Sequence, residues 1–180
     1  MLQLVIGPMF AGKTEHVIAI ARRYRAIKKN VLFVNHIIDN RYSNDNVVMS
    51  HNGTKMTCLK VVLLESILTT KEYQVADLVV IEEGQFFQDL YKFFRENDQT
   101  RDFIVSGLSG DVNMKSIGQI LELIPMADKL EKLDGFCQEC KDGTLGSFTK
   151  KLDTVDGPII QVGSWEMYSC VCRRHHNNTF

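Results

Sequence analysis

Apolar residues along the chain follow two patterns: short unbroken runs, and segments where they return every three or four positions. QLVI (3–6), VLFV (31–34), LVVI (78–81) and FIVSGL (103–108) are of the first kind and predict strands buried on both faces. Val17, Ile20, Ala21, Tyr24 and Ile27 are of the second kind and share one face of a helix. The opposite side, with Arg22, Arg23, Arg25, Lys28 and Lys29, reads as a solvated face. Helices are also predicted over 89–96 and 118–123. Buried strands alternating with helices require a parallel sheet covered on both sides, an α/β fold. Near residue 134 the pattern changes to glycines, paired cysteines and short alternating runs such as SFTKKL (147–152) and PIIQVG (158–163). These predict small antiparallel strands, so the chain divides into an α/β domain over 1–133 and a smaller subdomain over 134–180.

Composition narrows the function classes. With 44% hydrophobic and 24% charged residues, a chain of 180 residues builds one core rather than a disordered segment. A net charge of −1 argues against a dedicated nucleic-acid binder, which needs a basic surplus. No apolar run is long enough to span a membrane. The opening MLQLVIGP lacks a charged leader and reads as a strand, not a signal peptide. Five cysteines, an odd number, without an export signal point to free thiols in a reducing compartment, the cytoplasm. Cys58, alone in TKMTCLKV, reads as a core thiol.

GPMFAGKT (7–14) matches G-x-x-x-x-G-K-[ST] and lies between a predicted strand and a predicted helix, where a P-loop belongs. The candidate nucleotide cradle is Gly7, Pro8, Met9, Phe10, Ala11, Gly12, Lys13 and Thr14. Glycines let successive N–H groups curl toward phosphate oxygens. Lys13 would reach the β- and γ-phosphates of ATP, and the Thr14 hydroxyl would ligate Mg²⁺.

VVIEEGQFF (79–87) ends a buried strand in two carboxylates, Glu82 and Glu83. Neighbouring strand residues point to opposite sides, which predicts different tasks. One acid would serve the metal; the other would position or deprotonate a nucleophile. The metal and Lys13 would allow both to stay ionised. FCQEC and CVCRRHH supply Cys137, Cys140, Cys172 and His175, two knuckles suited to tetrahedral Zn²⁺, with Cys170 and His176 as alternatives beside the second. A closed four-ligand site would be structural and would hold a lobe too small for a core of its own.

With these features placed, the chain resembles the cytosolic, zinc-containing family of thymidine kinases. GPMFAGKT, DNRYS (39–43), EEGQFF (82–87), ILELIPMADKLEKL (120–133), CQEC, TKKL (149–152) and MYSCVCRRH (167–175) carry the resemblance, over nearly the whole chain. It implies a P-loop, RecA-like parallel sheet flanked by helices, with a C-terminal zinc-binding lid. It implies ATP-dependent phosphorylation of the 5′-hydroxyl of thymidine or deoxyuridine, in DNA precursor salvage. Glu83 would be the catalytic base, aided by Lys13 and Arg41, and Glu82 would stand where the family has a metal-side aspartate. Asp39 and Arg41 would lie beside the acceptor hydroxyl. Met9, Phe86, Leu108, Thr149 and Tyr168 would line the nucleoside pocket. Ile159, Ile160, Gln161, Val162 and Gly163 would grip the base edge within a lid. A homotetramer and feedback inhibition by thymidine triphosphate are also implied.

One segment departs from the family. Where the pattern is approximately L-D-G-T-F-x-R-K-P-F, this chain reads LSGDVNMKSI (108–117), with Val112 and Ile117 in place of two base-enclosing phenylalanines. Base stacking on an aromatic contributes about 1–3 kcal/mol, so weaker or relaxed base selectivity is expected. The competing readings are a P-loop ATPase in which Glu83 activates water, a zinc-module protein using ATP as a switch, and a degenerate kinase retaining only nucleotide binding.

Overall fold

The computed structural model describes residues 1–39, 46–49, 53–97, 101–152 and 166–177. Arg41 and the stretch 159–163 lie outside these residues. In chain order the α/β part runs β1 (Leu2–Gly7), α1 (Lys13–Ala26), β2 (Val31–His36), the hairpin β3 (Val47–Met49) and β4 (Lys55–Thr57), β5 (Leu59–Val61), α2 (Lys71–Val75), β6 (Leu78–Ile81), α3 (Leu90–Glu96), β7 (Asp102–Leu108) and β8 (Lys129–Lys132). The C-terminal part contributes β9 (Gly135–Phe136), β10 (Leu145–Gly146), β11 (Phe148–Lys151), β12 (Tyr168–Val171) and α4 (Arg173–Asn177). Six strands form one sheet in the order β5-β2-β6-β7-β1-β8, with every neighbouring pair parallel.

Strand alternation divides the core into two layers. Leu2, Leu4, Ile6, Leu32, Val34, Val79, Ile81, Phe103 and Val105 point to one face, where Leu90, Phe93 and Phe94 of α3 cover them. Val5, Phe33, Leu78, Val80 and Ile104 point to the other, beneath Val17, Ile18, Ile20 and Ala21 of α1. This is the doubly covered parallel sheet expected from the unbroken apolar runs. The α1 stripe differs in detail: Ile18 is buried, while Ile27 follows the last helical residue and is 69% exposed.

The segment expected to be an α-helix from residue 118 is instead a 3₁₀ helix, Ile120–Met126, with Pro125 inside it. Proline lacks the N–H that an α-helical ladder needs. Gly118, at φ 57°, also turns the chain away from a helical start. A Cβ on Gly118 would lie 2.0 Å from Gln85 O, a backbone atom that cannot swing aside. Gly118→Ala is therefore expected to cost about 1–3 kcal/mol, through overpacking and a left-handed φ. Urea unfolding checks this as a lowered midpoint with an unchanged slope. An unmoved midpoint would show that the two segments separate freely.

The C-terminal strands form two antiparallel pairs, β9 with β10 and β11 with β12; β11 falls within the predicted run SFTKKL, while PIIQVG (158–163) lies outside the described residues. Among the described residues, no helix is long and apolar enough to cross a membrane.

Candidate active site

The carboxyl ends of β1, β6 and β7 meet at one edge of the sheet, the usual ligand crevice of an open α/β fold. Beyond β1 the backbone takes left-handed turns at Phe10 (φ 64°) and Gly12 (φ 75°) before α1 begins at Lys13. The curl sets successive amides around the start of a 14-residue helix, an arrangement that favours anions. Lys13 Nζ donates to Pro8 O at 2.7 Å, across the loop. The Met9 amide donates to Thr149 Oγ1 at 3.0 Å in a buried bond that ties the loop to β11.

Both glutamates are buried, Glu82 at 2% exposure and Glu83 at 9%, so neither belongs to a solvated loop. Thr14 Oγ1 donates to Glu82 Oε2 at 3.2 Å, while Glu82 Oε1 is buried with no hydrogen-bond partner. The register pairs Ile81 with Val105, which sets Ser106 across from Glu82. Burial and the adjacent Glu83 charge push Glu82 up to about 7, against the pull of Ser106, Lys13 and Thr14. An orphaned carboxylate oxygen next to a P-loop threonine fits a hard cation such as Mg²⁺, which takes oxygen ligands.

Glu83 and Glu82 do part company, but not by strand alternation. β6 ends at Ile81, and Glu83 holds a left-handed backbone (φ 54°, ψ 44°). That conformation is uncommon for a residue with a Cβ and concentrates at functional sites. It directs the Glu83 carboxylate to Gln85, whose Nε2 donates to Glu83 Oε2 at 2.6 Å.

Asp39 accepts from Asn35 Nδ2 at 2.9 Å, just beyond β2. Met9, Thr149 and Tyr168 are buried; Phe86, Leu108 and Val112 are half-buried. Leu108 N donates to Gln85 Oε1 at 3.1 Å. Val112 O lies 2.9 Å from His176 Nε2, joining the segment after β7 to α4. Ile117 is 6% exposed and Cys58 is buried, its thiol pushed up to about 11 by that burial.

Cys137, Cys140, Cys172 and His175 converge with donor atoms all within 4.8 Å of one another. His175 Nδ1 is 3.5, 3.3 and 3.4 Å from the sulfurs of Cys137, Cys140 and Cys172, and the Cys140 and Cys172 sulfurs are 3.8 Å apart. A tetrahedral zinc with ordinary bond lengths sets such edges at about 3.6 Å for sulfur–nitrogen and about 3.8 Å for sulfur–sulfur. The donor set fits. Burial opposes ionisation of Cys137, yet backbone donors at Cys172, Cys140 and Glu139 bring its thiol down to about 6. Of the two alternatives, Cys170 Sγ donates instead to Gly146 O at 3.2 Å, and His176 faces Val112 and the Phe148 ring.

Two residues are not marked by the sequence. Gln85 is visible within EGQFF, but only the fold shows its amide between Glu83 and β7. Ser106 looks like an ordinary strand position in FIVSGL, until strand pairing sets it against Glu82.

A family model described as "Thymidine kinase" matches residues 1–176. The chain is similar to the thymidine kinase of Choristoneura fumiferana entomopoxvirus, 34% identical over 187 residues, or 99% of this chain and 98% of that one. It is similar to that of Rabbit fibroma virus, 35% identical over 175 residues, with 96% and 94% covered. Against the longer thymidine kinase of Oryza sativa subsp. japonica it is 35% identical over 184 residues, 97% of this chain but 65% of that one. With a family match across nearly its whole length and relatives at this identity, the chain belongs to the thymidine kinase family.

Proposed function

We propose that this chain transfers the γ-phosphate of ATP to the 5′-hydroxyl of thymidine or deoxyuridine, with Glu83 as the base. The observation that carries the reading is Glu83 itself, a buried carboxylate held in a left-handed backbone beside a P-loop. In the reaction, the 5′-oxygen bonds to the γ-phosphorus and its proton passes to Glu83. The bond from the γ-phosphorus to the bridging oxygen breaks, and ADP leaves. The loop amides and Lys13 bind the phosphates, and Arg41 offsets charge on the moving group. Thr14 and Glu82 would hold Mg²⁺, which supplies charge neutralisation at the β- and γ-phosphates when bound.

Met9, Asp39, Phe86, Leu108, Val112, Thr149, Tyr168 and residues 159–163 form the nucleoside site in this reading. Residues 134–180 act as a zinc-held subdomain carrying part of that site, appended to the 1–133 domain. A homotetramer, inhibition by thymidine triphosphate and a cytoplasmic location belong to the same proposal by kinship. Val112 and Ile117 offer no ring for the base, so discrimination between thymidine and deoxycytidine is expected to be weak. Labelled phosphate transfer from ATP to each nucleoside separately tests both statements. Label in a nucleoside monophosphate, with selectivity reduced by about tenfold or more from the loss of stacking, is the expected result. Label released only as inorganic phosphate would overturn the kinase reading, and strict preference for thymidine would overturn the selectivity.

A further inference from the structure

Gln85 is 4% exposed, and both ends of its amide are engaged: the oxygen by Leu108 N at 3.1 Å, the nitrogen by Glu83 Oε2 at 2.6 Å. The backbone donor at Leu108 determines which way the amide faces, so only its NH₂ can meet Glu83. A carboxylate accepts that bond without giving a proton. The space around the side chain is reserved for it. A Cβ at Gly107 would lie 2.3 Å from Gln85 Oε1. A left-handed Glu83 backbone alone aims the side chain only coarsely, because its own torsions remain to be set.

We infer that Gln85 is the positioning residue for Glu83: it spans from the β7 backbone at Leu108 to the carboxylate and holds that group in one orientation toward the acceptor hydroxyl. The inference rests on Glu83 being the base. It also links the base to Leu108, so that the wall of the nucleoside pocket and the proton acceptor are set by one side chain. Loss of a residue that orients a reacting group typically costs 10–100-fold.

The test is a double-mutant cycle on single-turnover phosphate transfer from labelled ATP to thymidine. Gln85→Glu keeps the acceptor for Leu108 N and the side-chain length but puts a second carboxylate in place of the donor to Glu83. Gln85→Met, which removes the donor without adding a charge, is therefore run beside it and must give the same loss. Each is expected to lower the transfer rate by about 10–100-fold, with thymidine and ATP dissociation constants changed by less than about threefold. In the Glu83→Gln background the same change is expected to lower the rate by less than about twofold, because there is no base left to orient. If Gln85→Glu lowers the melting temperature strongly, Gln85→Met carries the cycle alone. Full activity in Gln85→Glu or Gln85→Met, or an equal further loss in the Glu83→Gln background, overturns the inference. Full activity in Glu83→Gln overturns instead the assignment of the base.

Discussion

Glu83→Gln is expected to lower phosphate transfer by about 10²–10⁴-fold, the usual worth of a positioned general base. The amide keeps the size and can still hydrogen-bond to Gln85, but it cannot take the hydroxyl proton. The P-loop lies on another strand and makes its own bonds, Lys13 to Pro8 and Met9 to Thr149. ATP affinity is therefore expected to stay within a few-fold, so the defect falls on the rate and not on binding. Fluorescent-nucleotide titration beside the transfer assay separates the two. A rate unchanged in Glu83→Gln would remove Glu83 from the chemistry. A large loss of ATP affinity would mean that the buried carboxylate shapes the phosphate site.

Cys140→Ser is expected to abolish stoichiometric zinc and to weaken thymidine binding by about tenfold or more, a loss of roughly 1.4 kcal/mol. The reason is the thinness of the C-terminal lobe. Phe136 and Leu145 there are 69% and 56% exposed, whereas Cys137, Tyr168, Cys170 and Val171 are its buried apolar residues among those described. So little core cannot hold four short strands, and a metal cross-link at the four donors would substitute for it. α4 holds β11 through Lys150 Nζ to His175 O at 3.1 Å, and through Arg173 over the Phe148 ring at 4.7 Å. Freeing α4 releases β11, and with it Thr149 from the Met9 amide. Metal analysis and calorimetric thymidine titration check both effects. Zinc retained at about one per chain in Cys140→Ser would overturn the four-ligand site.

The strands legible in the sequence were those buried on both faces, because an unbroken β-branched run fits a doubly covered strand far better than a half-exposed one. LVVI ends where predicted, and the strands around VLFV and FIVSGL extend by a residue or two. β8 was not legible. KLEK alternates charge with one apolar residue, and Leu130 is 46% exposed at the sheet edge, so no apolar run marks it. Charged side chains on such an edge protect it from pairing, at the cost of hiding it from hydropathy. The hairpin of β3 and β4 escaped for a similar reason: each strand has three residues and buries only its middle one.

At the site, motif spacing identified which residues meet, while backbone geometry decided how. The acids, the loop and the zinc cluster could be named from GPMFAGKT, EEGQFF and the paired cysteines. The left-handed turn at Glu83 could not, since nothing local in a glutamate favours positive φ. In that conformation Glu83 Oε2 accepts from Gln85 Nε2 and Glu83 O accepts from Phe86 N. The choice of His175 over His176 was likewise settled by the turn of α4, which sends one ring to the sulfurs and the next to Val112.

The most direct test measures ADP and nucleoside monophosphate together, with Mg²⁺ and ATP, in the presence and absence of thymidine. A kinase forms the two products in equal amounts and makes little ADP without nucleoside. ADP accumulating at the same rate with and without thymidine, and no monophosphate, would contradict the account and make Glu83 the partner of water.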